Sequence, residues 1–356
     1  MKNNEIELAL NDRFILQEEY FGCDKPVNHI VPLVSVSVAT YQHEAYIKQC
    51  LDSILMQQTD FPIEIIIGED GSVDGTKDIC MSYAEKFPDK IRLFMRNRKL
   101  SQYITSNGKT IRFNGLWNRM SARGKYIAMC EGDDYWTDPA KLQKQVDFLE
   151  KHEDYSLCFH NAIVHWEGEP QRDTIYALIE NRKYDGLEIQ KRWIVPTASM
   201  VFKTDVVRSC AYNQRIVNEK YLYGDQLILF TAEELGSLYG MNEIMSVYRR
   251  NEGGEIYKYD IERDIKHVIH KLEMGNDFNN KYRFIVHRIA FERYFFIAFQ
   301  YFIMKKIGLT LKYIFNAFTL NPFLFIFSPF LLLKIKMENC IYEKRLLKCY
   351  EKNYKK

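Results

Sequence analysis

The sequence predicts a doubly wound α/β fold, a mainly parallel sheet flanked by helices, with a helical C-terminal extension. Three observations predict it. Short apolar, β-branched runs alternate with amphipathic helical patterns between residues 33 and 150. Polar clusters stand where those runs stop, and from about residue 256 the pattern changes to long helical segments. The chain divides on this basis into a preamble (1–30), an α/β domain (31–255) and a helical region (256–356).

Each element has a local reason. Leu33–Ala39 (LVSVSVA) reads as a buried strand ending at Thr40-Tyr41-Gln42, and His43–Gln57 carries Ile47, Leu51, Ile54 and Leu55 on one helical face. Pro62 resets the chain before a second strand, Ile63–Gly68, which ends in EDGSVDGT. Asp74 is placed to cap a helix bearing Ile79, Met81, Tyr83 and Phe87. Strands follow at Ile91–Met95 and Lys125–Cys130. Asp138 and Pro139 then open a helix with Leu142, Val146 and Leu149 inward. Tyr155–Val164, Ser199–Phe202 and Leu238–Arg249 read as further strands, and a helix carrying Leu227, Ile228 and Phe230 starts near Gly224.

With 356 residues, 47% of them hydrophobic, the chain can bury a large core, and a net charge of +2 gives no sign of a nucleic-acid partner. The eight cysteines form no CxxC pair, which favours reduced, packed thiols. The opening MKNNEIELALNDRFILQEEY is too charged for a secretory signal, so a cytoplasmic protein is expected. Tyr313–Leu333 carries no charge but is interrupted by Asn316, Asn321, Pro322, Ser328 and Pro329. The favoured reading is two short helices at the inner membrane face, anchored by Phe323, Phe325, Phe327 and Phe330. Helices packed on the domain and a spanning helix are the alternatives.

The chemistry concentrates in GKYIAMCEGDDYWTDPAKL, Gly124–Leu142. Carboxylates grouped where an apolar strand stops are costly to hold together unless a cation sits among them. Glu131, Asp133 and Asp134 therefore form a candidate metal site. Ligands in such sheets bind beyond the carboxyl ends of strands, where Thr40-Tyr41, Glu69-Asp70 and Asp133-Asp134 all fall.

Together LVSVSVATYQHEAYIKQCLDSILMQQ, IIIGEDGSVDGT and GKYIAMCEGDDYWTDPAKLQKQVDFL resemble the family-2 glycosyltransferases, inverting enzymes of the GT-A fold, over about Pro32–Gly254. The similarity is greatest to bacterial enzymes that build surface polysaccharide. It implies transfer of a sugar from a nucleoside diphosphate sugar, a UDP-sugar first, to a glycan or lipid-linked acceptor, with Mn²⁺ or Mg²⁺ as cofactor. Carried over residue by residue, the resemblance gives Asp133 and Asp134 the metal and ribose contacts. It sets Tyr41 against the base, Asp70 on its imide N–H, the Ala39 and Thr40 backbone against the nucleotide, and Glu44 toward ribose or base.

Glu131 replaces the first Asp of the usual Asp-x-Asp-Asp motif, leaving the metal ligand open between Asp133 and Asp134. Asp225, in YLYGDQLILF, matches the family's general base, with a helix N-cap as its alternative role. Trp136 is a candidate wall for a sugar ring or a packed core residue. PTASMVF resembles the acceptor-side segment. In SVYRRNEGG, Asn251 stands where the family usually carries a histidine, and Arg249 reads as a surface residue, with an approach to the diphosphate as its alternative. Two other functions compete. A sugar nucleotidyltransferase wants a glycine-rich basic loop after the first strand, which ATYQHEAY lacks, and a degenerate membrane-bound binding module would not need Asp225.

Overall fold

The computed structural model describes residues 2–105, 108–251, 260–322 and 328–353. Its strands are β1 (Glu18–Tyr20), β2 (Val34–Thr40), β3 (Ile63–Glu69), β4 (Ile91–Met95), β5 (Gln102–Ile104), β6 (Thr110–Arg112), β7 (Tyr126–Met129), β8 (Tyr135–Trp136), β9 (Tyr155–Trp166), β10 (Thr174–Ile175), β11 (Arg182–Tyr184), β12 (Val201–Lys203) and β13 (Ser237–Arg250). The helices are α1 (Lys2–Phe14), α2 (Ile47–Leu55), α3 (Thr76–Lys86), α4 (Asn114–Met120), α5 (Lys141–Lys151), α6 (Gly186–Lys191), α7 (Asp205–Arg208), α8 (Cys210–Ile216), α9 (Gly224–Leu235), α10 (Ile261–Asn276), α11 (Arg283–Ile303), α12 (Ile307–Leu320) and α13 (Ser328–Asn353).

The large sheet runs in the order β1-β4-β3-β2-β7-β12-β9-β13-β11. β4, β3, β2 and β7 are parallel, β12 is antiparallel to both its neighbours, and β9 and β13 are parallel again. The chain goes outward from β2 through β3 to β4, then crosses to the other side of β2 as β7. That reversal opens a crevice at the carboxyl ends of β2 and β7. The preamble contributes β1, antiparallel to β4 at the sheet edge.

Alternation in β2 serves both faces. Val34, Val36 and Val38 enter one core layer with Ile47, Leu51 and Ile54 of α2 and Leu142, Val146 and Leu149 of α5. Ser35 faces the other way, where its hydroxyl donates to the buried Glu64 at 2.6 Å. Glu64 is in turn paired with Arg123 at 2.7 Å and Arg92 at 3.3 Å, so the buried carboxylate is matched. The opposite core layer joins Trp117, Phe159, Phe202 and Phe230.

Four helix starts differ in detail from the sequence expectation. The helix expected from His43 begins at Ile47, Asp74 accepts from the Thr76 N–H at 3.1 Å while its helix begins at Thr76, Asp138 accepts from the Ala140 N–H at 2.8 Å while α5 begins at Lys141, and Asp225 lies inside α9, where Tyr223 is the N-cap residue. The expected anchors Phe323, Phe325 and Phe327 lie outside the described residues, as does the side chain of Phe330. Among the described residues no helix is long and apolar enough to cross a membrane. The cysteines whose side chains are described are all free thiols.

Lys141, at the start of α5, is fully buried with its ammonium 4.0 Å from the Trp136 ring centroid and no hydrogen-bond partner among the described residues. Burial pulls its pKa down from 10.5 to about 7. An unfolded lysine keeps its proton until about pH 10.4. The unfolded state therefore binds more protons between those values, and stability rises with pH across that window. Urea melts of wild type and Lys141→Met should differ in slope. From pH 7 to 10 the wild type should gain about 2–4 kcal/mol relative to the variant, and at pH 6 the variant should be the more stable. Parallel stability curves would show that Lys141 titrates normally.

Candidate active site

The acidic loop after β7 lies at the crevice between β2 and β7. The Gly132 N–H donates to the Ala39 carbonyl at 3.0 Å, drawing the loop onto the end of β2. A Cβ at position 132 would meet His43 Nδ1 and Thr40 Oγ1 at 2.8 Å and Thr40 Cβ at 2.9 Å, so only glycine lets the loop approach this closely.

Arg249 on β13 fastens the loop from the other side. Its backbone N–H donates to Asp134 Oδ1 at 2.8 Å, its Nε to the Asp133 carbonyl at 2.7 Å and its Nη2 to Gln49 Oε1 at 2.6 Å. Its Nη1 forms an ion pair with Glu167, and the guanidinium lies 4.8 and 4.9 Å from the Tyr46 and Tyr135 ring centroids. Arg249 is thus buried, at 9% exposure, correcting the expectation of a surface arginine.

The two carboxylates consequently differ. Asp134 is buried, with burial first and then the Asp133 charge raising its pKa well above the usual carboxylate range, against the Arg249 N–H. Asp133 is partly exposed, and its carboxylate accepts no hydrogen bond among the described residues.

Tyr41 and Asp70 are brought together by Arg98, which the sequence reading missed. The Arg98 Nη1 donates to Asp70 Oδ2 at 2.6 Å, and its guanidinium carbon lies 3.3 Å from the Tyr41 ring centroid. The Ser101 hydroxyl donates to Asp70 Oδ1. Asp70 is 2% exposed, and burial raises its pKa against these two partners. The signal was available: residues 96–101 follow the carboxyl end of β4, beside β3. The Thr40 carbonyl accepts from the Asp70 N–H at 3.1 Å, so of the Ala39 and Thr40 backbone groups expected against the nucleotide, both carbonyls already hold neighbouring loops. Glu44 is exposed, and its carboxylate lies against Gly75.

Asp225 sits in the first turn of α9, half-buried. Its Oδ1 accepts from the Gln226 N–H at 2.8 Å and its Oδ2 from the Thr197 hydroxyl at 3.4 Å, which joins it to the PTASMVF segment. Burial raises its pKa, opposed by those two bonds and by Lys271 of α10. Lys271 is itself buried, donates to Gln190 Oε1 at 2.7 Å and Gln226 Oε1 at 3.0 Å, and has its pKa lowered to about 7 by burial.

Burial chiefly, then Tyr248, Asp225 and Asp134, raise the pKa of Tyr176, opposed by Arg250. Its ring meets Tyr248 edge-on at 5.5 Å, and burial and Asp134 push Tyr248 up to about 12. Trp136 has no such role: it is 1% exposed and donates to the Ala198 carbonyl at 2.9 Å, so it is a core residue with no face for a sugar. Among the described residues no group of three or more His, Cys, Asp or Glu is arranged to hold a metal.

A mostly parallel sheet with an acidic loop and polar strand ends at its switch point places the chain among the α/β folds that bind a ligand beyond the carboxyl ends of their strands. Residues 35–209 match the family model for Glycosyl transferase family 2. The match takes in just under half of the chain and gives residues 35–209 the character of a family-2 glycosyltransferase domain, in a sheet of the GT-A type. An uncharacterized protein of Mycobacterium tuberculosis is 32% identical over 221 residues, 62% of this chain and 60% of that protein, so the chain spans about 60% of the length of such relatives. The putative teichuronic acid biosynthesis glycosyltransferase TuaG of Bacillus subtilis is 29% identical over 220 residues, 61% of this chain and 79% of that one. Among solved structures, S. aureus TarS 1–349 in complex with UDP-GlcNAc superimposes with a TM-score of 0.53 at 17% identity, covering 81% of each chain. The mannosyltransferase PcManGT from Pyrobaculum calidifontis, in complex with GDP-Man and Mn²⁺, gives 0.50 at 16% identity over 99% of this chain and 98% of that one.

The close seat of the acidic loop predicts the effect of adding one methyl group. Gly132→Ala should keep a wild-type circular dichroism spectrum and lose roughly a hundredfold in kcat/KM, the scale expected when a reacting group is misplaced by about 1 Å. Wild-type kcat/KM in a folded Gly132→Ala protein would contradict the placement of this loop in the site.

Proposed function

We propose that this protein transfers a sugar, with inversion, from a nucleoside diphosphate sugar to a hydroxyl of a glycan or lipid-linked glycan acceptor in surface polysaccharide synthesis. The observation that carries the proposal is the difference between the two aspartates of the acidic loop: Asp134 is buried and holds the Arg249 N–H with Oδ1, while Asp133 is partly exposed and its carboxylate accepts no hydrogen bond among the described residues. The TuaG similarity supports the polysaccharide context. A UDP-sugar is the first donor to test, because TarS was solved with UDP-GlcNAc; PcManGT with GDP-Man makes guanosine the second.

Tyr41 and Asp70 hold the base, with Arg98 between them as a cation that must share or yield its place on the Tyr41 ring. The Thr40 and Ala39 carbonyls fix the loops that carry Asp70 and Gly132, so their part is positioning. Glu44, exposed with its carboxylate against Gly75, is the residue for the ribose or base. A divalent cation fits this donor set: Asp133 is the residue to hold it, Asp134 orients the loop behind it, and the donor's own phosphates supply further oxygens. When bound, that cation offsets the negative charge that grows on the leaving diphosphate.

On the acceptor side, Asp225 takes the proton of the attacking hydroxyl as its oxygen bonds to the anomeric carbon and the bond to the diphosphate oxygen breaks. A carboxylate whose pKa burial has raised is a better base than a solvated one, and Thr197 and the Gln226 N–H hold it in place. It must be ionised to act, so kcat/KM should rise with pH through its raised pKa.

Asp225→Asn should lower turnover by roughly 10²–10⁴-fold while leaving nucleotide binding within about twofold. The check is release of UDP or GDP from a panel of nucleotide sugars with Mn²⁺ and an acceptor extract. Normal turnover by Asp225→Asn would remove Asp225 as the base. Release of pyrophosphate from a sugar phosphate and a nucleoside triphosphate would favour a nucleotidyltransferase.

A further inference from the structure

The C-terminal helices end in a surface that the transfer reaction does not require. α11 and α12 form a hairpin with its own small core, in which Tyr301 and Tyr313 stack at 5.5 Å beside Val268, Ile297 and Ala298. α12 buries Thr310, Tyr313 and Ala317 against α11, spaced as one helical stripe. On its other side Leu311 and Phe315 are 60% and 64% exposed. At the turn between the helices, which Lys305 makes with a φ of 57°, Phe302, Ile303, Met304 and Ile307 are each more than half exposed. A helix apolar on both sides is not finished by packing on its own chain.

Charge indicates what covers it. Residues 294–337 contain no Asp or Glu and five lysines, 305, 306, 312, 334 and 336, for a net +5. The whole chain carries +2, so the remaining residues sum to −3. Of the five lysines, Lys305, Lys306 and Lys312 belong to the described hairpin, where the apolar side chains are exposed. Lys305 and Lys306 sit at the tip itself, among the exposed apolar side chains, where their long stems let the ammonium groups reach headgroups while the apolar residues enter the acyl boundary. α12 is 14 residues long, about 21 Å, too short to span a bilayer core of about 30 Å.

We propose that the α11–α12 tip docks on an anionic lipid bilayer, inserting Phe302, Ile303, Ile307, Leu311 and Phe315 to interfacial depth with Lys305, Lys306 and Lys312 on the headgroups. The surface lies on the bundle whose α10 carries Lys271 and His270, both bonded to Gln226 beside Asp225, so the docked bundle is continuous with the acceptor side. The proposal rests on exposure and charge and stands whether or not the transfer reaction is as proposed.

Flotation of the full chain with vesicles of phosphatidylcholine alone, or with about a third phosphatidylglycerol, tests it by a readout independent of activity. The protein should float with the anionic vesicles, and raising salt to 0.5 M should weaken binding. Phe302→Ser with Phe315→Ser, both exposed and so compatible with folding, should lower vesicle affinity tenfold or more, as should Lys305→Glu with Lys306→Glu. The proposal is overturned if the folded wild type floats with neither vesicle. It is equally overturned if light scattering finds a dimer that the Phe302/Phe315 variant dissolves while vesicle binding is unchanged.

Discussion

The site depends on the attachment of Arg249 to the acidic loop. One residue of β13 supplies a backbone N–H to the Asp134 carboxylate and a guanidinium N–H to the Asp133 carbonyl, and its remaining donors go to Gln49 and Glu167. A buried guanidinium whose donors are matched and whose faces meet Tyr46 and Tyr135 is held far more firmly than a solvated one. It joins parts of the chain from α2, the acidic loop, the β9–β10 connection and β13. The effect is to hold Asp134, buried, by one carboxylate oxygen, while Asp133 stays partly exposed. With Glu131 in the first motif position, this difference in burial and partners is the ground on which Asp133 is proposed as the metal ligand.

A second constraint lies at the opposite edge of the crevice. Asp70 is buried, and both of its oxygens are engaged, by Arg98 and Ser101. On the proposed assignment, a nucleobase approaching Tyr41 would meet a guanidinium already stacked on that ring, and base recognition at this edge would be an exchange of partners. The incoming base would then replace a charge-assisted hydrogen bond and a cation–π contact, and the gain in binding would be only the difference.

Much of this was legible in the sequence because it is local. β-branched runs, the turn aspartates at 74 and 138 just ahead of their helices, and the acidic cluster each declare themselves within a few residues, and the strand-end rule put Tyr41, Asp70 and Asp133 at neighbouring strand ends. What was not legible depends on long-range pairing. Arg249 reads as a surface residue until β13 is seen to pair with β8 and lie beside the loop 116 residues before it. Lys271 comes from a helix outside the matched domain, and Trp136 looked available to a sugar because its burial is set by Ala198, 62 residues away. Gly132 is intermediate: its motif position was plain, while the reason no other residue fits needed the Thr40 and His43 side chains.

The helical extension and the α/β domain are linked through polar contacts near Asp225, where Lys271 and His270 reach Gln226. The most direct test of the account remains on the other side of the crevice, in the unequal roles of Asp133 and Asp134. Calorimetric titration of UDP and GDP, with and without Mn²⁺, should show Mn²⁺-enhanced nucleotide binding in the wild type. In Asp133→Asn the nucleotide should bind equally weakly with and without the cation. If Asp133→Asn retained the full Mn²⁺ enhancement, the assignment of the free carboxylate, and with it the reading of the loop, would be contradicted.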